Sequence, residues 1–590
     1  MISPQEANEL LKSVSKENLK ALECKFATYV PSKFNEKSDM LVIKELVHLH
    51  TPIKTKDGRL VDKIPRLRFK QDYQRPFWMV QDRVQKHQPY TDKKEWEYLD
   101  KLKRYECTQA DLQAAITRVQ GWGNPKSSLK MLARNQYLYG CDITTPTLIK
   151  AAYQQQYPGV FTPNTVAVLD TETDVVNGDG SDPILSSITF KDKAYVAVKR
   201  DWIGNIADAE QKIIEHLNKT LAEDVKARDI KFEVQICDSM AEMVYNCIQK
   251  AHEWQPDFLT FWNMDYDMTV VCEILLKAGY DLAEVFSDPR VPPEFRYFDY
   301  KRGPTTKVKA DGKIENLASY DRWHVVTAPC SFQFIDAMCV YRQIRKAKGK
   351  AASYSLGYTL ETHLKRGKLY FEAGDSAAVP GTIEWHKEMQ MNYKFNYIAY
   401  NVFDCVGIEL LDEKTRDLQT QVSILSGYSE YSVFSSNPKR AADKLHFFCL
   451  SVGKVASCVS DQMVDDNDEF VLGMDDWIVT LATHLVENNG LHLIRQLPNV
   501  RSLVRMYVSD ADITSTYPNG EIIMNLSKET TMLELAKIKG IGSDRQRLIG
   551  INLTGGPANA IEILTEVAAL PPPNVMLSAF KEHLKQKEVA

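Results

Sequence analysis

The clearest change in the pattern of hydrophobic and polar positions comes at residue 165. Residues 165–170 (TVAVLD) form a short apolar run closed by an acid, which predicts a buried strand. From there to about residue 415, apolar runs of strand length alternate with stretches of helical period. The predicted strands are 184–190, 195–198, 258–262 and 332–337, and the predicted helices are 209–221, 240–253, 268–277 and 397–411. This alternation predicts an α/β domain with a mixed sheet over residues 165–415.

The rest of the chain divides into three further segments. Residues 1–164 are polar, are predicted to be rich in helix and form an N-terminal domain. Residues 416–500 are predicted to be a helical segment that returns to that domain, and residues 501–590 open another domain with a strand at 502–508. Within the α/β domain, Asp311-Gly312 predicts the turn of a β-hairpin. The predicted fold class is therefore α/β and α+β, multidomain.

Composition narrows the class of protein. Hydrophobic residues make up 44% and charged residues 26% of 590 residues, which excludes a disordered or fibrous chain. The net charge of −5 leaves room for local basic grooves, so nucleic acid is not excluded as a partner. The eleven cysteines form no C-x-x-C pair, which favours a reducing cytoplasm. No apolar run of about 18 residues occurs, so no membrane partner is expected.

Three groups of polar residues carry candidate chemistry. Asp170 and Glu172 lie two apart at the end of the predicted strand, so both point to the same side and could hold a divalent metal. Residues 263–267 (NMDYD) follow the next apolar strand, and a simple helix cap is the alternative reading of Asp267. Tyr400 and Asp404 lie four apart on one face of a predicted helix, where a core tyrosine beside an exposed acid is the alternative.

In order along the chain, D-x-E, N-x-x-Y-D and Y-x-x-x-D resemble the three exonuclease motifs of B-family DNA polymerases, particularly those of bacteriophages. Residues 334–341 (FIDAMCVY) and 354–360 (YSLGYTL) are similar to the strand and helix that lie between the second and third motifs. One departure is the spacing of Asn263 and Asp267, which several relatives place one residue further apart. The resemblance implies a ribonuclease H-like 3′-5′ exonuclease domain.

The resemblance also implies a set of roles. Four carboxylates would hold two Mg²⁺ or Mn²⁺ ions about 4 Å apart, one activating the attacking water and the other stabilising the leaving 3′ oxygen. Tyr400 would orient that water, and Asn263 would contact single-stranded DNA. The four carboxylates are Asp170, Glu172, Asp267 and Asp404.

Residues 512–518 (DITSTYP) resemble the first palm motif of the same polymerases, with Thr516 where Leu is usual. By that resemblance Asp512 and the backbone at Ile513 would bind catalytic metal. The polymerase site, like the exonuclease site, would hold two ions. Ser515 and Thr516 would contact the triphosphate of a dNTP, and Tyr517 would lie under the sugar. The D-T-D motif and the fingers helix of the family are not found in the sequence. The chain is therefore expected to be the N-terminal part of a polymerase, either a truncation or one subunit of a split enzyme.

The expected partners follow from that interpretation. They are single-stranded and primer-template DNA, a second polymerase polypeptide, a sliding clamp and other replisome proteins. The basic run 341–350 is predicted to contact the DNA backbone through Arg342, Arg345, Lys346, Lys348 and Lys350. Two alternatives stay open: a stand-alone 3′-5′ exonuclease or repair nuclease, and a replisome scaffold without catalytic activity.

Overall fold

Long antiparallel strands form much of the N-terminal region. The structure is a computed structural model that describes residues 4–87, 93–178, 180–308, 313–371 and 378–460. In chain order the first elements are helix α1 (Pro4–Ser13), strands β1 (Leu19–Pro31), β2 (Asp39–Lys54), β3 (Leu60–Gln71) and β4 (Arg75–Val80), helix α2 (Asp82–His87), strands β5 (Trp96–Tyr98) and β6 (Leu102–Cys107), helices α3 (Leu112–Gln120) and α4 (Leu129–Leu132), strand β7 (Leu138–Tyr139) and helix α5 (Thr145–Gln156). Strands β1, β2 and β3 form a meander, and β6, β4 and β7 form a second sheet.

The prediction that this region is rich in helix was wrong. Its strands contain many Leu, Lys and Glu residues, which favour helices in isolation, but tertiary pairing overrides that preference. Charged side chains within the meander are buried in pairs. Lys44 Nζ on β2 lies 3.4 Å from Asp257 and donates to the Ser331 carbonyl at 2.8 Å. These contacts join the meander to the following α/β region.

A six-stranded mixed sheet forms the centre of the next region. Its elements are β8 (Val166–Thr173), β9 (Pro183–Phe190), β10 (Lys193–Lys199), α6 (Arg200–Ile203), α7 (Ala209–Thr220), α8 (Ala222–Arg228), β11 (Lys231–Cys237), α9 (Met240–Trp254), β12 (Phe258–Phe261), α10 (Met264–Lys277), α11 (Leu282–Phe286), β13 (Asp299–Lys301), β14 (Thr306–Val308), β15 (Ile314–Asn316), β16 (Val325–Thr327), β17 (Gln333–Asp336), α12 (Ala337–Ile344), α13 (Leu356–Leu364), α14 (Ile383–Asn392) and α15 (Lys394–Thr415). The strand order is β11-β10-β9-β8-β12-β17. Strand β8 pairs parallel with β12 and antiparallel with β9, which confirms the predicted mixed α/β arrangement.

The two faces of this sheet are covered by different helices. Val166 and Val168 of β8 belong to the core that includes α7 and α15, whereas Ala167 and Leu169 belong to the core that includes α9 and α10. Strands β14 and β15 pair antiparallel, as the predicted hairpin requires. The turn itself, including Asp311, lies outside the described residues.

Helices follow the α/β region up to residue 460, as predicted. The rest of the predicted helical segment and the predicted strand 502–508 lie outside the described residues. A π-helical segment (Asp417–Gln421) leads into α16 (Val422–Ser426), α17 (Asn437–Ser451) and strand β18 (Lys454–Ala456). Strand β18 pairs with β5 of the N-terminal region. The described residues belong to one compact unit, Met1–Ser460.

Candidate metal centre

The alternation of β8 determines where its two acids point. Side chains two residues apart share one face of a strand, so Asp170 and Glu172 continue the face of Val166 and Val168. That face is covered by α15, because Val168 belongs to the same core as several α15 side chains. The sequence therefore directs both carboxylates towards the helix that carries the third predicted motif.

The structure brings three of the predicted acids together. Carboxylate oxygens of Asp170, Glu172 and Asp404 all lie within 4.8 Å of one another. Asn401 Nδ2 donates to Asp170 Oδ2 at 2.6 Å, and the Tyr397 hydroxyl donates to Glu172 Oε2 at 2.6 Å. Asp404 is buried, whereas the two β8 acids are half-buried. In this cluster, the α15 acid is thus shielded from solvent, and the two β8 acids are partly accessible to it.

Asp267, the fourth predicted ligand, lies next to this cluster. Helix α10 begins at Met264 with Asn263 in the N-cap position, so Asp267 lies in the first turn and does not cap the helix. Burial, followed by the negative charges of Asp170 and Glu172, raises the pKa of Asp267 well above its usual value. Its Oδ1 atom is buried and has no hydrogen-bond partner in the described structure.

Burial and mutual repulsion control the protonation of the cluster. Burial, then the charge of Asp404, raises the pKa of Asp170 to about 7, and burial, then the charge of Asp170, raises that of Glu172 to about 8. Burial also raises the pKa of Asp404, although Lys368 opposes this. Without a counter-ion, the cluster therefore retains protons that isolated carboxyls would have lost.

Sequence reasoning missed a half-buried cation in the centre. Lys368 Nζ contacts Asp404 Oδ2 at 2.5 Å and donates to the Tyr400 hydroxyl at 2.7 Å. Burial acts to lower the pKa of Lys368, but the charges of Asp404 and Asp170 outweigh it and the pKa is raised. Lys368 lies in an irregular segment after α13 and had no periodic signal in the sequence.

Two polar residues of α15 were missed although a signal existed. Tyr397 and Asn401 contact the β8 acids, and with Tyr400 and Asp404 they occupy positions i, i+3, i+4 and i+7 on one helix face. Tyr400 is 3% exposed, and burial followed by the charge of Asp404 raises the pKa of its hydroxyl. Tyr400 therefore keeps its proton at neutral pH beside the acid cluster.

A cavity of about 510 Å³ lies along α10, the helix that carries Asp267. Asn263 and Tyr266 line it, together with Lys277, Arg302 and Arg322. Tyr266 is 44% exposed, and its hydroxyl lies 2.7 Å from Thr173 Oγ1 at the end of β8. The cavity thus has one exposed aromatic ring close to the strand that carries the acids. It also has three cations, of which Lys277 pairs with Glu273 and Arg302 with Asp265.

The cations of the predicted DNA-binding run 341–350 fall into two groups, those paired with acids and those exposed. Arg342 is buried and pairs with Asp321, and Arg345 pairs with Asp417 at 2.6 Å. Lys346 and Lys350 are exposed. The side chain of Lys348 and the palm residues Asp512, Ile513, Ser515, Thr516 and Tyr517 lie outside the described residues.

Comparison with protein-family models gives no match for this chain, and the comparison with curated proteins likewise finds no similar protein. Among the described elements, no helix has the length and apolar character that a bilayer crossing requires.

Proposed function

We propose that the acid cluster is the two-metal centre of a 3′-5′ DNA exonuclease, built on a ribonuclease H-like domain. The supporting observation is the convergence of Asp170, Glu172 and Asp404 to within 4.8 Å of one another. The chain would be the N-terminal part or a subunit of a phage-type B-family replicative polymerase, in which this site proofreads.

The residues present fit a hard divalent cation. Asp267 Oδ1 and Asp404 Oδ1 are both buried, and neither has a hydrogen-bond partner in the part of the chain that the structure describes. Buried carboxylate oxygens without a partner are costly unless a cation neutralises them. An all-oxygen donor set favours Mg²⁺ or Mn²⁺. Asp170, Glu172, Asp267 and Asp404 would hold two such ions, which supply an activated water and stabilise the leaving oxygen.

The protein's own groups would then orient the reactants. Tyr400 retains its proton and can donate a hydrogen bond to the attacking water. Lys368 places a positive charge against Asp404, where negative charge would build up on the scissile phosphate. Asn401 holds Asp170 at one oxygen, which leaves its other oxygen for the metal.

The cavity along α10 suits a single strand of DNA. The exposed ring of Tyr266 offers a stacking surface for a base, and Arg322 offers charge to the phosphates. Lys277 and Arg302 would add charge by exchanging their partners Glu273 and Asp265 for phosphates. Asn263 lies in the same wall. This arrangement supports a single strand, rather than an intact duplex, as the substrate.

The test is digestion of single-stranded DNA in the presence of Mg²⁺. The double variant Asp170→Ala, Glu172→Ala should lose hydrolysis and stay folded, because removing the two half-buried carboxylates relieves the repulsion between them. The matched control replaces two exposed acids of the same region, Glu223→Ala with Glu253→Ala, and should digest normally. Equal digestion by the parent and the Asp170/Glu172 variant would overturn the proposal.

The palm-like motif supports a second activity. We propose that Asp512 contributes a metal ligand to a polymerase site that a partner polypeptide completes. Primer extension by the mixture of both polypeptides should disappear with Asp512→Ala while exonuclease activity persists. Unchanged extension by that variant would show that Asp512 is not a polymerase metal ligand. Exonuclease activity with no extension by the mixture of both polypeptides would favour the stand-alone nuclease, and absence of both activities would favour the scaffold.

A further inference from the structure

A second layer of hydrogen bonds lies behind Glu172. The hydroxyl of Tyr397 donates to Glu172 Oε2 at 2.6 Å. Two side chains of α14 reach the same hydroxyl: His386 Nδ1 lies 2.9 Å away, and Gln390 Nε2 donates to it at 3.2 Å. Helix α14 lies outside all the motifs that identified the centre.

Counting protons fixes the direction of these hydrogen bonds. A phenol has one proton, and with Glu172 ionised, as a metal ligand must be, Tyr397 donates that proton to the carboxylate. The hydroxyl oxygen must then accept from both Gln390 and His386. With Glu172 ionised by a bound cation, His386 would therefore carry its proton on Nδ1.

Gln390 also holds the strand that carries Glu172. Its Nε2 donates to the carbonyl of Thr173 at 2.8 Å, and its Oε1 accepts from the backbone N–H of Val175 at 3.1 Å. Gln390 is 2% exposed, so no water competes for these bonds. One buried amide thus links the residue after Glu172 to the hydroxyl that holds the Glu172 carboxylate.

The ring of Tyr397 has no freedom to swing away. It is 1% exposed and stacks on Tyr400 with a centroid distance of 5.7 Å and an interplanar angle of 12°. Trp202 and His386 meet it edge-on. The hydroxyl therefore stays where Glu172 needs it.

We propose that Tyr397, His386 and Gln390 are positioning residues that orient Glu172 for divalent-cation binding. This inference rests on the proposed function, because it assigns a role to α14 at the same centre. Partners that hold a ligating carboxylate typically change metal affinity by about 10–100-fold when they are removed. Helix α14 would therefore tune metal affinity without touching DNA or metal.

The test is calorimetric titration of the full chain with Mn²⁺ in the absence of DNA. Tyr397→Phe keeps the stacked ring but removes the donor, and it should bind Mn²⁺ about 10–100-fold more weakly than the parent. Tyr195→Phe is the matched control, since Tyr195 is fully buried in the same sheet and donates to Gln235 at 2.7 Å. Both variants lose one buried hydrogen bond, so a purely structural effect would lower thermal stability alike in both and leave Mn²⁺ affinity unchanged.

A second pair of variants tests the same role if Tyr397→Phe does not fold. The amide nitrogen of His386→Asn can replace Nδ1 as the donor and should restore near-parental affinity, whereas His386→Leu has no donor and should bind Mn²⁺ more weakly. If the parent binds Mn²⁺ and both Tyr397→Phe and His386→Leu bind it equally well, the positioning role is overturned while the proposed function stands. A parent that binds no Mn²⁺ would overturn the proposed function as well.

Discussion

Lys368 provides the most direct electrostatic test of the centre. Its ammonium lies 2.5 Å from Asp404 Oδ2, and the side chains of the two residues are 20% and 3% exposed. The substitution Lys368→Met keeps most of the aliphatic side chain and removes the charge. Asp404 would then be a buried carboxylate whose Oδ1 already has no partner in the described structure.

The expected loss of stability follows from that burial. Breaking a buried ion pair by removing one partner costs about 3–5 kcal/mol. Asp404 can take up a proton in the variant, which limits the cost, so the free energy of unfolding should fall by about 2–4 kcal/mol at about pH 8 and by less at about pH 5. Saturating Mn²⁺ at about pH 8 should recover much of the loss, because a bound cation replaces the missing ammonium.

The assay is denaturant unfolding of the parent, Lys368→Met and Lys368→Arg, with and without Mn²⁺. Lys368→Arg retains a positive charge and should lose less stability than Lys368→Met. If Lys368→Met lost the same stability at both pH values and with saturating Mn²⁺, Lys368 would act by packing alone. The electrostatic account of the centre would then be wrong.

Three further predictions concern neighbouring groups. Tyr400→Phe should slow single-turnover hydrolysis by about 10²–10³-fold with unchanged affinity for single-stranded DNA, because its hydroxyl is proposed to act on water and not on the substrate. Weaker binding at an unchanged rate would make it a packing residue. Lys346→Ala with Lys350→Ala should reduce the slope of log affinity for single-stranded DNA against log salt concentration by about 0.7 per lost phosphate contact. An unchanged slope would mean that both lysines belong to ordinary solvated surface. Asp170 and Glu172 bind protons more tightly in the folded than in the unfolded chain. The metal-free parent should therefore lose stability as the pH rises from about 4 until it passes the folded pKa values of about 7 and about 8. Asp170→Asn with Glu172→Gln should remove that loss, and identical pH profiles of thermal unfolding would contradict the raised pKa values assigned to burial and repulsion.

The sequence predicted those parts of the centre that depend on local periodicity. The apolar run before Asp170 identified a buried strand, and the alternation of side chains along it placed Glu172 on the same face. The four-residue spacing of Tyr400 and Asp404 placed both on one face of α15. Parallel pairing of β8 with β12 then brings the ends of both strands to one edge of the sheet, where Asp267 lies.

Other parts depend on contacts between distant segments and left no local signal. Lys368, His386 and Gln390 reach the centre from an irregular segment and from α14, so neither spacing nor composition could identify them. In the N-terminal meander, residues such as Glu45 lie on a strand although they favour helices. Glu45 is fully buried between Arg66 and Arg68 of the neighbouring strand, a partnership that only the tertiary fold creates.

The activity proposed for the acid cluster is removal of nucleotides from a 3′ end. The measurement is digestion of the same single-stranded sequence in linear form, labelled at its 5′ end, and in covalently closed circular form, with Mg²⁺. The account predicts that the parent shortens the linear strand one nucleotide at a time and spares the circle. Asp170→Ala with Glu172→Ala should leave both intact. Cleavage of the circle by the parent, or equal shortening of the linear strand by that variant, would contradict the account.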